Sequence, residues 1–236
     1  MKLRSAALTD IGKVRSENED RFLREETLGI YGIADGIGGL PAGAEASSCA
    51  VGFIKAGIKS GVTDLNALTL AASEAVMELG RQLNPVYGIG TTLTFALFKD
   101  GKMQLSHVGD SRAYLLRGGR LQHLTEDHNV ETEARNLQAR GERVLASGPN
   151  GQALTRCIGQ PGLPSVDLKT ILLLPGDRYL FATDGITRMV SDEELAKLIA
   201  ADAQPEAIAK SLVDLALERG GYDNATCVLV IADEAQ

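Results

Sequence analysis

The segment Thr92–Val108, TLTFALFKDGKMQLSHV, decides the fold class. Leu93, Phe95 and Leu97 alternate with Thr92, Thr94 and Ala96, the two-residue period of a strand. Asp100-Gly101, set between Lys99 and Lys102, is a two-residue hairpin signal that turns the chain back into Met103–Val108. The pattern repeats further along. Ala113–Leu116 and Leu121–Leu124 are joined by Gly118-Gly119, and Val166–Leu174 and Tyr179–Thr183 by Pro175-Gly176, so both pairs read as hairpins. On the other side, Leu28–Ala34 is a short apolar run stopped by Asp35-Gly36, a buried strand.

Helices come in pairs between and after these strands. Ala44–Lys59 places Ala46, Ala50, Val51, Ile54 and Ile58 at helical spacing, and a second stripe from the N-cap Asp64 carries Leu65, Leu68, Ala72, Val76, Leu79 and Leu83. Ser191 and Glu194 form a capping box for a helix to about Ala200, and Pro205 opens another to about Arg219. Ala225–Ala232 closes the chain as an apolar strand. Hairpins with paired helices, rather than strict alternation, predict an α+β fold of antiparallel sheets covered by helices. Residues 1–236 read as a single domain. Its least regular stretch, about 129–164, holds a short helical pattern over Val130–Ala139 and then a Gly-rich run, the pattern of a functional flap or of a mobile loop.

Composition narrows the function. The 236 residues are 44% hydrophobic and 23% charged, which excludes a disordered tail or a fibrous repeat. With no Trp, 5 Tyr and 5 Phe, the core must be built from Leu, Ile, Val and Ala. The 24 basic residues against 31 acidic ones, net −7, argue against a nucleic-acid partner. Cys49, Cys157 and Cys227 are odd in number and far apart, as free thiols in a reducing compartment are. No window approaches the roughly 18 apolar residues of a membrane span, and Met1–Asp10 lacks a signal-peptide core. A cytoplasmic protein with no membrane partner is expected.

Several chemistries can be struck out. No Cys has Arg six positions later, so the phosphate-cradling thiolate loop is absent. No two Asp stand two apart, and GxxxxGK[ST], GxGxxG and HExxH are all missing. His107, His123 and His128 alone supply a multi-histidine zinc site poorly. What remains is a set of aspartates at strand ends: Asp20, Asp35, Asp110, Asp184 and Asp223. An Asp-Gly pair is ordinarily a turn, as at Asp100-Gly101. Asp35-Gly36 and Asp184-Gly185 differ because each ends a continuous apolar run, where an unpaired carboxylate is costly. Arg and Lys near these positions are few, so divalent cations are expected to neutralise them. Oxygen-only ligation favours magnesium or manganese.

Eight motifs in order carry a resemblance: Arg15–Asp20 (RSENED), Ala34–Gly39 (ADGIGG), Gly90–Thr92 (GTT), His107–Tyr114 (HVGDSRAY), Leu124–His128 (LTEDH), Leu154–Arg156 (LTR), Ala182–Ile186 (ATDGI) and Tyr222–Thr226 (YDNAT). From about Arg4 to Ile231 the chain resembles the metal-dependent serine/threonine protein phosphatases of type 2C, in their compact bacterial form. The resemblance implies a two-sheet antiparallel β-sandwich flanked by helix pairs, with metals in a cleft at one edge. It implies that Asp35 bridges two Mn2+ or Mg2+ ions and that the Gly36 carbonyl completes one site. Asp184 and Asp223 would hold the other ion, and Asp110 with Asp184 a weaker third. Asp20, with Glu19, would act through metal-bound water, and Arg15 would clamp the substrate phosphate. Two ions roughly 3.5–4 Å apart would share a hydroxide that attacks phosphorus in line. The implied substrates are phosphorylated proteins, targets of a bacterial serine/threonine kinase, and a monomer is expected.

Two positions depart from the pattern. Ile37 stands where eukaryotic relatives carry a proton-donating His and bacterial ones usually Met, and Leu40 stands where bacterial members often have His. His107 and His128 are expected to be structural, and Cys157 to serve packing. Arg135, Arg140, Arg143 and Arg156 bias the flap toward positive charge, a solvated face or a substrate contact. Two other functions fit the same residues: a catalytically inactive phosphoprotein-binding regulator of the same fold, and a small phosphoester hydrolase. The full set of aspartates disfavours the first, and the missing nucleotide loop the second.

Overall fold

The computed structural model describes residues 2–142 and 150–233. The first sheet has the order β1 (Lys2–Asp10), β10 (Ala225–Asp233), β9 (Arg178–Ala182), β6 (Arg112–Arg117), β7 (Arg120–His123). The second runs β2 (Asp20–Glu25), β3 (Ile30–Asp35), β4 (Leu93–Lys99), β5 (Lys102–Val108), β8 (Asp167–Leu172). Every neighbouring pair is antiparallel. Helices α1 (Gly43–Lys59) and α2 (Leu65–Leu83) cover the second sheet. The first is covered by α5 (Asp192–Ala200) and α6 (Pro205–Glu218). Between them fall α3 (Val130–Ala139) and the single turn α4 (Asp184–Thr187).

Side-chain parity builds the layers. In β10, Cys227, Leu229 and Ile231 face the helices, while Val228 and Val230 face the other sheet. In β4, Phe95 and Leu97 face α1 and α2, while Ala96 and Phe98 point between the sheets. Each such buried Val, Leu or Phe contributes about 1.5–3 kcal/mol relative to exposure. Tyr31, Phe98 and Tyr179 stack edge to face across the sandwich, with centroids 5.3 and 5.1 Å apart. Asp100 and Gly101 both have positive φ, 51° and 71°, as a type I′ hairpin turn requires.

One expected hairpin is not formed. Val166–Leu174 and Tyr179–Thr183 lie in different sheets: β8 pairs with β5, and β9 with β10 and β6. The Pro175-Gly176 turn is a corner between sheets, held by the buried Asp177. Its carboxylate accepts both forks of Arg117 at 2.7 Å, the Tyr179 hydroxyl at 2.9 Å and the Leu174 N–H at 2.8 Å. Exposure differs accordingly. Leu168 and Leu172 of the edge strand β8 are exposed, whereas Tyr179–Ala182 is buried throughout. The sequence reading also left out β1 and β2, because their arginines and acids interrupt any apolar run.

Candidate active site

The ends of β3, β5 and β9 and the starts of β2 and β10 meet at one edge of the sandwich, bringing the five aspartates together. Asp35, Asp110, Asp184 and Asp223 line a cleft of about 430 Å³, with Arg15 and Arg188. Asp20 lies buried beneath, directly opposite Asp35 in the β2–β3 register.

Hydrogen bonds to the backbone anchor the loops that carry Asp35, Asp110 and Asp223. The Asp35 N–H donates to Thr92 Oγ1 at 2.9 Å, and its carbonyl accepts from the Thr91 hydroxyl and the Thr92 N–H, both at 2.8 Å. Thr92 in turn shares a hydrogen bond with Ser111, beside Asp110. His128 fixes the other side of that loop. Its N–H donates to the Gly109 carbonyl, and its Nδ1 accepts the Gly109 N–H at 3.0 Å. With Nδ1 accepting, Nε2–H donates to Asp167, which Arg156 also holds at 3.0 Å. Asn224 ties the loop carrying Asp223 to the loop carrying Arg15: its amide donates to the carbonyls of Ile11 and Glu17, and its Oδ1 accepts the Glu19 N–H.

Charge is in excess here. Burial, followed by repulsion from Asp20 and Asp184, pushes the Asp35 carboxyl well above the ordinary range. Burial also lifts Asp20 and Asp110 to about 7 each. Asp184 is raised by burial while Arg188 pulls it back. Two guanidinium groups face five aspartates. Arg15 Nη2 meets Asp223 at 2.7 Å, and Arg188 Nη2 meets Asp184 at 2.7 Å and Asp110 at 3.5 Å. Arg15 lies over Gly38, where an added methyl would stand 2.8 Å from its Nη1.

The donor set suits hard divalent ions: five carboxylates supply oxygen ligands, Asp20 and Asp110 buried and the other three half-buried. Asp20 Oδ1 is buried with no hydrogen-bond partner, the mark of an atom built for a further ligand. Among the described residues no three Asp, Glu, His or Cys side chains close on a common point. The two arginines already engage three of the five carboxylates.

The structure thus brings together Asp20, Asp35, Gly36, Asp110, Asp184, Asp223 and Arg15. Glu19 lies against Gly43 at the start of α1. His107 and His128 are buried and hydrogen-bonded away from the cleft. Cys157 reaches the cleft wall, and its thiol is pushed up to about 11 by burial. Arg156 is committed to Asp167. Arg143 and part of the flap, 143–149, lie outside the described residues. Sequence reasoning missed Arg188 and Asn224. The i,i+4 spacing of Asp184 and Arg188 was the signal for the first; nothing local signals the second, whose partners are over 200 residues away.

An acid-rich cleft at the edge of a two-sheet sandwich, its carboxylates all supplying oxygen, defines a site for divalent cations. The family model for protein phosphatase 2C matches residues 7–225, and the chain belongs to that family. The serine/threonine phosphatase stp of Listeria monocytogenes is 30% identical over 247 residues, covering 97% of this chain and 95% of the relative. The crystal structure of the Mycobacterium tuberculosis serine/threonine phosphatase PstP/Ppp superposes with a TM-score of 0.85 at 32% identity, covering 99% of this chain and 100% of that one. The catalytic domain of PstP in complex with two manganese ions gives a TM-score of 0.82 at 31% identity, over 98% and 99% of the two chains. Among the described residues no helix is long and apolar enough to cross a membrane.

Proposed function

We propose that the chain is a phosphatase that removes phosphate from phosphoserine and phosphothreonine in proteins, dependent on Mn2+ or Mg2+. The observation that carries this reading is the excess of aspartate, buried or half-buried, over arginine in one cleft. Asp35, Asp184 and Asp223, with the Gly36 carbonyl, would hold the ions, with Asp20 beneath them. When bound, such ions supply activation of the attacking water and positive charge at the phosphoryl oxygens. Arg15 stands part-exposed at the cleft, where its planar fork binds the substrate phosphate two-pronged. The protonated Cys157 is no nucleophile, and no histidine lines the cleft among the described residues. Direct attack by water, with no covalent phospho-enzyme, fits this lining. The leaving oxygen takes its proton from solvent in the cleft, since Ile37 offers none.

Residues 1–236 act as one catalytic domain, monomeric and cytoplasmic, reversing a bacterial serine/threonine kinase. The bacterial origin of the relatives supports that setting. The segment 129–164 serves as a flap, a role supported by Gln152, Ala153 and Leu154 lining the cleft. The test is hydrolysis of a phosphothreonine peptide with Mn2+. Turnover is expected to stop with chelator and to fall by at least about a hundredfold in Asp184→Asn, the scale of losing a principal electrostatic group. Chelator-insensitive turnover would overturn the reading.

A further inference from the structure

Arg188 closes one corner of the acidic cleft. It follows the single turn α4, and its N–H donates to the Asp184 carbonyl at 2.9 Å. That turn sets its side chain four residues from Asp184 on the same face, so the guanidinium folds back onto the Asp184 carboxylate at 2.7 Å and reaches Asp110 at 3.5 Å. The two acids come from different strand ends and are nearly covered, with side chains 8% and 16% exposed. The guanidinium above them is 42% exposed. Among the described residues Arg188 is the one cation within ion-pairing distance of Asp110.

We propose that Arg188 is a built-in cation that takes the place of a metal ion between Asp110 and Asp184, so that this chain holds a pair of ions and no third. The proposal rests on the metal-dependent reading above. A guanidinium tethered one helical turn from its partner needs no recruitment from solution, whereas an ion entering that corner must displace it and shed water. Asp110 is then a partner of Arg188 rather than a metal ligand. Asp35, Asp223 and the face of Asp184 away from Arg188 remain for ions.

Native mass spectrometry of the 236-residue chain in excess Mn2+ counts the ions directly. The wild type is expected to carry a pair, and Asp110→Asn the same pair. Arg188→Gln is expected to gain one ion per chain, and Arg188→Gln/Asp110→Asn to lose that gain. A third ion on the wild type that Asp110→Asn removes would overturn the proposal, and so would an unchanged count in Arg188→Gln. A chain that binds no ion in any variant would instead overturn the metal-dependent reading itself. The Asp110→Asn comparison leaves Arg188 intact, so the proposal stays exposed to refutation if the Arg188 variants fail to fold.

Discussion

Asn224 makes three hydrogen bonds, each of 2.8–2.9 Å, and all of them cross from the loop of Asp223 to the loop of Arg15. Replacing it by Ala leaves the Glu19 N–H and two carbonyls without partners, a cost of about 1–3 kcal/mol for a buried group. The effect on catalysis follows from position rather than contact. Arg15 would lose its fixed approach to the cleft, so Asn224→Ala is expected to raise KM for a phosphothreonine peptide about tenfold, equivalent to ~1.4 kcal/mol. Steady-state kinetics against a small aryl phosphate check the cause: the phosphate that Arg15 binds is common to both substrates, so KM is expected to rise for both, and a rise confined to the peptide would count against a role through Arg15. Asp35 and Asp184 were legible at this scale because an acid that ends an apolar run contradicts its surroundings. Asn224 was not, because an Asp-Asn dipeptide is ordinary loop chemistry.

Elements place these residues, and α4 shows how tightly. Gly185, its second residue, packs its Cα against the Asn224 carbonyl so closely that an added methyl would overlap that oxygen. Gly185→Ala must therefore push apart the two loops that carry Asp184 and Asp223. A loss of about 1–3 kcal/mol, typical of overpacking, is expected in urea unfolding, together with a fall in peptide turnover. An unchanged midpoint would show that the loops part without cost. The caps at Asp64 and Ser191 were readable because they are written in four consecutive residues. The corner at Pro175-Gly176 was misread because the same dipeptide serves a hairpin or a sheet-to-sheet crossing, and the buried Asp177–Arg117 pair decides between them.

At the scale of the molecule, two sheets close over groups that water would otherwise reach. Burial holds the His107 imidazole down at about 3, with the neighbouring His128 adding to the effect. The unfolded chain protonates the same group near pH 6.5. Between those values the unfolded state binds more protons, so this contribution to stability is complete above about pH 6.5 and is lost as pH falls toward 3, at up to about 1.4 kcal/mol per unit. The raised aspartates of the cleft act with the opposite sign in metal-free protein. The difference between wild type and His107→Gln, rather than either midpoint, isolates the imidazole. Urea unfolding is expected to show the wild type ahead near neutrality and the gap narrowing under acid; a constant gap would count against a neutral, buried His107.

By itself the sequence determined the helices with their caps, every strand but β1 and β2, the Asp100-Gly101 hairpin, the α+β class and the acids that end buried strands. Each is encoded in a window of a few residues, through side-chain period, backbone preference or the cost of a charge in an apolar run. Tertiary structure alone decided which strands share a sheet and which cations meet which acids. Arg15 and Asp223 are 208 positions apart, and Thr183 and Asp20 are 163 apart. No local pattern specifies such contacts, because they come from the common burial of both sheets between their helices. The same closure leaves Asp20 with an unpaired oxygen and sets Arg188 over two carboxylates.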